Sequence, residues 1–238
     1  KYSIYELPVM MLTAKNQPED IAAGLEIGAN DFLSKPFDKK ELFARVKTLL
    51  LLKKAVKEHK KFIEIGQELK VAEKIQQSIL PKHFPQVEIL EIKAKYIPMA
   101  SVGGDFYDFY HLNPHSTGVF VADVSGHGIP AALIASMIKI TFSLQQEYAA
   151  HPETVLKKIN EIMNDKLEEQ FFTAGYIYFD LNHEKLYYSR AGHPPVLVYK
   201  RKEKKVYELK PKGKLIGYFP KAEYESESFD IEKGDRVL

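Results

Sequence analysis

Apolar residues follow three different rhythms along the 238-residue chain. From residue 1 to about 47 they come in short blocks. Val9-Met10-Met11-Leu12 is a continuous apolar run, the pattern of a strand covered on both faces. Pro18-Glu19-Asp20 opens an amphipathic helix, with proline and acids in the first turn as helix geometry and the helix dipole favour. That helix is predicted to stop at Gly28. Asn30-Asp31-Phe32-Leu33 predicts a second strand, Lys35-Pro36-Phe37 a turn, and Asp38 the cap of a helix starting near Lys39. The order strand–helix–strand–helix predicts part of a parallel sheet.

From about residue 40 to 84 the rhythm becomes helical. No proline occurs in this stretch before Pro81, and Gly66 is its single glycine. Apolar residues recur at Leu42, Val46, Leu49, Leu52, Val56 and Ile63, then after a slip at Phe62, Ile65, Leu69, Ala72, Ile75 and Ile79. Such spacing gives one apolar stripe opposite a face rich in Lys and Glu. A helix of about 40 residues would reach ~60 Å. A stripe of that length at near-heptad spacing predicts pairing with a second copy as a parallel coiled coil; a helix packed on its own domains is the alternative.

Beyond residue 85 the period shortens to that of strands. Segments 88–95, 117–123, 174–180, 185–189, 196–200 and 206–209 are the candidates, and Asn182-His183-Glu184 reads as a hairpin turn. Two helices interrupt them, over 130–147 and 152–169. This zone predicts an α+β domain with mostly antiparallel neighbours. The expected organisation is therefore 1–47, a piece of a parallel α/β domain; 48–84, a helical linker; and 85–238, the α+β domain.

Composition narrows the function classes. Lys plus Arg number 34 against 32 Asp plus Glu, a balance that makes no electrostatic case for nucleic acid or an anionic membrane. The chain has no cysteine, which excludes disulfides, cysteine-ligated zinc and a cysteine nucleophile. No apolar run approaches the ~20 residues that span a bilayer, and no signal peptide opens the chain, so a cytoplasmic location is expected. Residue 1 is Lys, and Lys233-Gly234-Asp235-Arg236-Val237-Leu238 reads as a turn and a strand just begun, so the sequence is read as a piece of something longer.

The chemistry concentrates in two glycine-rich segments. In Ser101-Val102-Gly103-Gly104-Asp105-Phe106-Tyr107-Asp108, two glycines let the backbone turn and approach a ligand, and two aspartates follow. In Thr117-Gly118-Val119-Phe120-Val121-Ala122-Asp123-Val124-Ser125-Gly126-His127-Gly128, a buried strand delivers Asp123 at its end, before a turn and a helix. Carboxylates at strand ends, beside backbone carbonyls, suit hard cations such as Mg²⁺ or Mn²⁺. Two such ions can activate a shared water for phosphate ester hydrolysis. Each aspartate taken singly also fits a turn or a strand end. Spacing alone leaves both readings open.

These strings, with Ser189-Arg190-Ala191-Gly192-His193-Pro194-Pro195, resemble in order and spacing the sporulation-phosphatase branch of the PPM metal-dependent serine/threonine phosphatases. Ala72-Glu73-Lys74-Ile75-Gln76-Gln77-Ser78-Ile79-Leu80-Pro81 resembles the helix that precedes that domain, and Phe171-Phe172-Thr173-Ala174 the entry to one of its core strands. The resemblance implies two stacked antiparallel sheets flanked by helices, and a site holding two Mn²⁺ or Mg²⁺ ions. Asp105, Asp123 and the Val124 carbonyl match its metal ligands, Asp123 in the bridging position; Asp108 either supports those ligands or is structural. No catalytic role is carried onto His127, and His193 is read as structural. The family's later Thr-Asp-Gly strand and Asp-Asp motif are not in this sequence, so part of the metal shell is expected to be missing and the fragment itself to be inactive.

Residues 1–47 have their own resemblance. Pro8–Ala14 and Gly28–Phe37 look like the last part of a response-regulator receiver domain, in which Thr13 and Lys35 match the residues that sense the phosphoryl group and Lys35-Pro36 would be a cis peptide. The implied parent is a two-component output protein. A histidine kinase would act on its receiver. Its phosphatase would act on phosphoserine or phosphothreonine in a regulatory protein such as an anti-sigma-factor antagonist, and it would dimerise through the linker. Two rival classes are a non-catalytic binding or dimerisation domain and a nucleotide cyclase, whose Gly-Gly-Asp motif Gly103-Gly104-Asp105 imitates. Where the cyclase motif continues with an acid, Phe106 stands here.

Overall fold

The computed structural model describes residues 4–15, 17–87, 89–98 and 101–238. They form two compact units that divide between Leu69 and Lys70.

In the first unit, strand β1 (Met10–Thr13) pairs in parallel with β2 (Asp31–Ser34), in register from Met10 opposite Asp31 to Thr13 opposite Ser34. Helix α1 (Pro18–Glu26) joins them, with Glu19 and Asp20 in its first turn. Gly28, at φ +109°, turns the chain back towards β2 in the left-handed region that a side chain disfavours. Asp38 caps helix α2 (Lys39–Ile79): its carboxylate accepts the Lys40 N–H at 2.6 Å. Arg45 on α2 pairs with Asp31 on β2 at 3.0 Å. The predicted cis Lys35–Pro36 peptide is present. Helix α2 is continuous over 41 residues, because nothing from Lys39 to Ile79 breaks it: proline is absent and the lone Gly66 is tolerated.

The second unit is a sandwich. A five-stranded antiparallel sheet has the order β3 (Phe106–Asn113), β4 (Ser116–Val124), β5 (Phe172–Asp180), β6 (Lys185–Ala191) and, at its edge, β9 (Ser226–Asp230). A three-stranded sheet has β7 (Val196–Lys200) between β8 (Lys205–Leu209) and β10 (Arg236–Val237). Helices α3 (Ile129–Ser143) and α4 (Pro152–Met163) cover one face of the larger sheet. There Phe106, Phe120, Ala122, Phe172, Ala174 and Tyr176 meet Ile134, Ile138, Phe142, Leu156 and Ile159. On the opposite face Val119, Ile177, Phe179, Leu186 and Tyr188 pack against Val196, Val198 and Leu209 of the smaller sheet. The period-2 alternation of β4 and β5 thus serves two cores, one on each side.

The predicted strand over 88–95 differs. Glu88 lies outside the described residues, and 89–98 form no strand; a single bridge joins Val87 and Leu90. Alternation there meets no partner strand, and Ile89 and Ile97 are exposed. The strand in its place is β3, whose aromatic run Phe106-Tyr107-Asp108-Phe109-Tyr110 suits a pleated sheet.

The turn before β10 is held by charge. Lys200 Nζ lies 2.8 Å from Asp235 Oδ2, with both side chains buried. Asp235 also accepts the N–H groups of Arg201 at 3.0 Å and Glu232 at 2.9 Å. Burial opposes ionisation of Asp235. The Lys200 bond and the two backbone donors outweigh it and hold the carboxyl below its usual range. A carboxyl depressed in the fold stabilises fully above its unfolded pKa and loses that contribution as pH falls through its folded value. Asp235→Asn is therefore expected to lower stability at pH 7 by about 1.5–3 kcal/mol, the range for hydrogen bonds to a charged group. The gap to wild type should close below about pH 4. Thermal melts of both proteins from pH 7 to 3 test this; a pH-independent gap would refute it.

Candidate metal centre

Asp123 is the penultimate residue of β4 and points to the face of Val119 and Val121, towards the smaller sheet. Phe106 pairs with Ala122, so continuing the ladder by one step sets Asp105 opposite Asp123. On the other side, Asp123 pairs with Thr173 of β5. Thr173 Oγ1 in turn lies 2.8 Å from His193 Nδ1. Asp105, Asp123, Thr173 and His193 therefore form one row across the end of the sheet.

The two carboxylates are in direct contact. Burial raises the pKa of Asp105, and the charge of Asp123 and a hydrogen bond to it raise it further; His193 opposes the shift weakly. Burial lowers the pKa of His193, helped by Arg190, with Asp105 acting in the opposite direction. Two like charges held together with only oxygen donors form a set that a hard divalent cation satisfies and that nothing in the described protein neutralises, so the residues fit Mg²⁺ or Mn²⁺. Among the described residues no group of three or more His, Asp or Glu is placed to hold a metal ion. The pair, with a backbone carbonyl, is what the described chain offers an ion.

That carbonyl is at Val124. A Cβ added to Gly104 would stand 2.9 Å from the Val124 oxygen, 3.0 Å from its Cβ and 3.2 Å from Cβ of Ala131 in the first turn of α3. Glycine at 104 is what lets the loop before β3 close onto the end of β4.

The remaining predicted residues separate. Asp108 does not join the pair: its side chain lies on the helix-facing side of β3, paired with Lys139 of α3 at 2.5 Å. His127 is exposed in the turn between Gly126 and Gly128. His193, read from the sequence as structural, stands beside the carboxylates. Its loop is braced by Arg190, which donates to the carbonyls of His193 at 2.5 Å and Pro211 at 2.9 Å. The sequence signal for this placement was the Gly192 turn between β6 and β7, which returns His193 to Thr173. In the first unit, Thr13 and Lys35 meet at the carboxyl ends of the parallel strands, where Lys35 N–H donates to the Thr13 carbonyl at 2.7 Å.

Residues 113–238 match the family model described as Stage II sporulation protein E (SpoIIE), and residues 1–47 match the response regulator receiver domain. Phosphoserine phosphatase RsbU of Bacillus subtilis (strain 168) is 34% identical over 176 residues, covering 74% of this chain and 52% of that protein. Phosphoserine phosphatase RsbP of the same strain is 29% identical over 177 residues, covering 72% and 43%. The chain thus spans about half or less of the length of these curated relatives. Among solved structures, the SiaA-PP2C domain of Pseudomonas aeruginosa superposes with a TM-score of 0.63 at 23% identity, covering 74% of this chain and 71% of that one, and so shares the fold. A family model that matches more than half of the chain decides the matter: this chain belongs to the Stage II sporulation protein E family.

Proposed function

We propose that the chain carries most of the catalytic domain of a metal-dependent protein phosphatase that hydrolyses phosphoserine or phosphothreonine in another protein. The observation that carries the reading is the Asp105–Asp123 contact, two carboxylates in cross-strand register at the end of a sheet in a member of this family. The names of RsbU and RsbP as phosphoserine phosphatases support the substrate class.

Asp105 and Asp123 would hold Mn²⁺ or Mg²⁺ together with the Val124 carbonyl. Bound there, the metal supplies an activated water and a counter-charge for the phosphoryl oxygens. The chain's own residues orient and enclose. A groove of about 340 Å³ opens beside Asp105, lined by Lys95, Tyr96, Ile97, Tyr107 and Val121. Its apolar walls and one lysine suit an extended peptide presenting a phosphate. Thr173 fixes the His193 ring next to the carboxylates, and Arg190 fixes the loop that carries it.

The domain reading is 1–47 for the receiver piece, 48–84 for the linker and 85–238 for the phosphatase. In the parent, a histidine kinase would phosphorylate the receiver, with Thr13 and Lys35 sensing the phosphoryl group. The signal would travel along α2, whose exposed Leu52, Phe62, Ile65 and Ile75 suit pairing with a second copy. An anti-sigma-factor antagonist is the substrate most in keeping with the resemblance to the sporulation phosphatases. Among the described residues no helix is long and apolar enough to cross a membrane.

The test is hydrolysis of a phosphoserine peptide by the full-length parent, with and without Mn²⁺, beside Asp123→Ala. Mn²⁺-dependent phosphate release that the variant loses is the expected result. A folded parent that releases no phosphate with any divalent metal, whether or not its receiver is phosphorylated, would replace this reading with a non-catalytic binding domain.

A further inference from the structure

Gln76 is the one buried residue of α2, a helix whose other described positions are exposed or half-covered. Its side chain is 6% exposed, and it is polar. Burial of an amide is unfavourable unless all its polar atoms are bonded. Gln76 meets that condition through a single residue: Nε2 donates to the Gly103 carbonyl at 2.5 Å, and Oε1 accepts the Gly103 N–H at 3.0 Å. The planar amide reproduces the paired donor and acceptor of a neighbouring strand, which no ionised carboxylate or cation can do.

The residue it grips lies two positions before Asp105. Residues 101–105 belong to no strand, so the ladder that aligns β3 with β4 stops at the Phe106–Ala122 pair. Beyond that point the loop is held by the Gln76 clasp at Gly103, the close fit of Gly104 against Val124 and the buried side chain of Val102. We infer that Gln76 is a positioning residue for the metal centre. It sets the position of the loop that brings Asp105 opposite Asp123, and it makes that position depend on the placement of the last turns of α2. A rise of ~1.5 Å and a turn of ~100° per residue mean that a small shift of α2 would withdraw the amide from Gly103. The metal site is then competent in one placement of the helix and slack in others. This inference rests on the phosphatase reading and adds to it the residue through which the helix reaches the site.

The test uses Mn²⁺ binding to the full-length parent, followed by calorimetry and by the Mn²⁺ electron spin resonance signal, for wild type, Gln76→Ala, Gln76→Glu and Gln77→Ala. Gln76→Glu keeps an acceptor for the Gly103 N–H but sets an oxygen against the Gly103 carbonyl. Gln77, on the same turn, bonds Glu73 on the exposed side and serves as the control. Both Gln76 variants should bind Mn²⁺ about 10–100-fold more weakly, the loss typical when a group that orients a metal ligand is removed. Gln77→Ala should bind as wild type does. In the full-length parent, Gln76→Ala should raise the Mn²⁺ concentration for half-maximal rate while leaving peptide KM unchanged, and excess Mn²⁺ should restore kcat. A residue that merely supported the fold would lower the melting temperature and the active fraction without moving that concentration. Wild-type Mn²⁺ affinity in both Gln76 variants overturns the positioning role and leaves the phosphatase reading intact. No Mn²⁺ binding by the wild-type full-length parent overturns the metal centre, and this inference with it.

Discussion

Asp105→Asn should make the metal-free chain more stable and at the same time abolish its response to Mn²⁺. The two effects have one cause. In the native site Asp105 is held against Asp123, and the folded state bears the repulsion of two like charges. An amide at 105 removes one charge and offers an N–H to the Asp123 carboxylate, turning repulsion into a hydrogen bond. The melting temperature without metal should therefore equal or exceed that of wild type. With Mn²⁺ at 100 times its dissociation constant, wild type should gain about 2.7 kcal/mol, or roughly 5–10 °C in a chain of this size. The variant should gain almost nothing. In the full-length parent the same change should reduce kcat by roughly 10²–10³-fold, the scale for removing one electrostatic group aimed at a developing charge. Melts with and without Mn²⁺ separate this account from a structural one, in which Asp105→Asn would lower stability under both conditions. A variant that keeps the full Mn²⁺ shift would remove Asp105 from the centre.

Much of this site was legible in the sequence because its residues lie at strand ends, where local pattern is strong. Asp123 closes a run rich in β-branched and apolar residues that marks a strand, the glycines around Gly126 mark the turn after it, and Gly103-Gly104 mark the turn before Asp105. The parallel pair β1–β2 and the long helix α2 were equally plain, one from a short apolar block and the other from 41 residues without proline. Cross-strand placement was not legible. His193 follows Thr173 by 20 positions, and only the pairing of β5 with β6 brings them within 2.8 Å. Asp108 stands three residues after Asp105, yet the pleat and the position of Lys139 on α3 turn it to the other face. Gln76 sat in a string whose resemblance marked it as an approach helix, four residues after Ala72 and three before Ile79 on the same helical face, but spacing alone does not say what a polar residue there would bond. Its function comes from a bond across 27 positions to a backbone that carries no side chain to read. The edge strand β9, Ser-Glu-Ser-Phe-Asp, is too polar to stand out as a strand, as edge strands that resist further pairing often are.

Adjacent glycines give the sharpest test of how closely the loop must fit. Neither Gly103 nor Gly104 has a positive φ, so alanine meets no intrinsic backbone strain at either position. Their surroundings differ. At 103 an added Cβ would meet the Tyr96 hydroxyl at 3.3 Å and the Pro98 Cβ at 3.6 Å, and a tyrosine tip can move by the few tenths of an ångström required. At 104 it would meet the Val124 carbonyl oxygen at 2.9 Å, the Val124 Cβ at 3.0 Å and the Ala131 Cβ at 3.2 Å. Those atoms belong to the end of β4 and the first turn of α3, with Ala131 fully buried, and neither element can yield without disturbing the core. Overfilling a close-packed site costs about 1–3 kcal/mol, which a chain of this size can survive. The relief lies in moving the loop away from β4, and that movement carries Asp105 away from Asp123 and from the Val124 carbonyl. A displacement of about 1 Å at a reacting centre can cost ~10²-fold. Gly104→Ala should therefore remain folded by circular dichroism, lose most of its Mn²⁺-induced rise in melting temperature, and in the full-length parent lose about 10²-fold in kcat. Gly103→Ala should stay within a few-fold of wild type on every measure. If the two variants behave alike, the contact of Gly104 with the end of β4 does not set the metal centre.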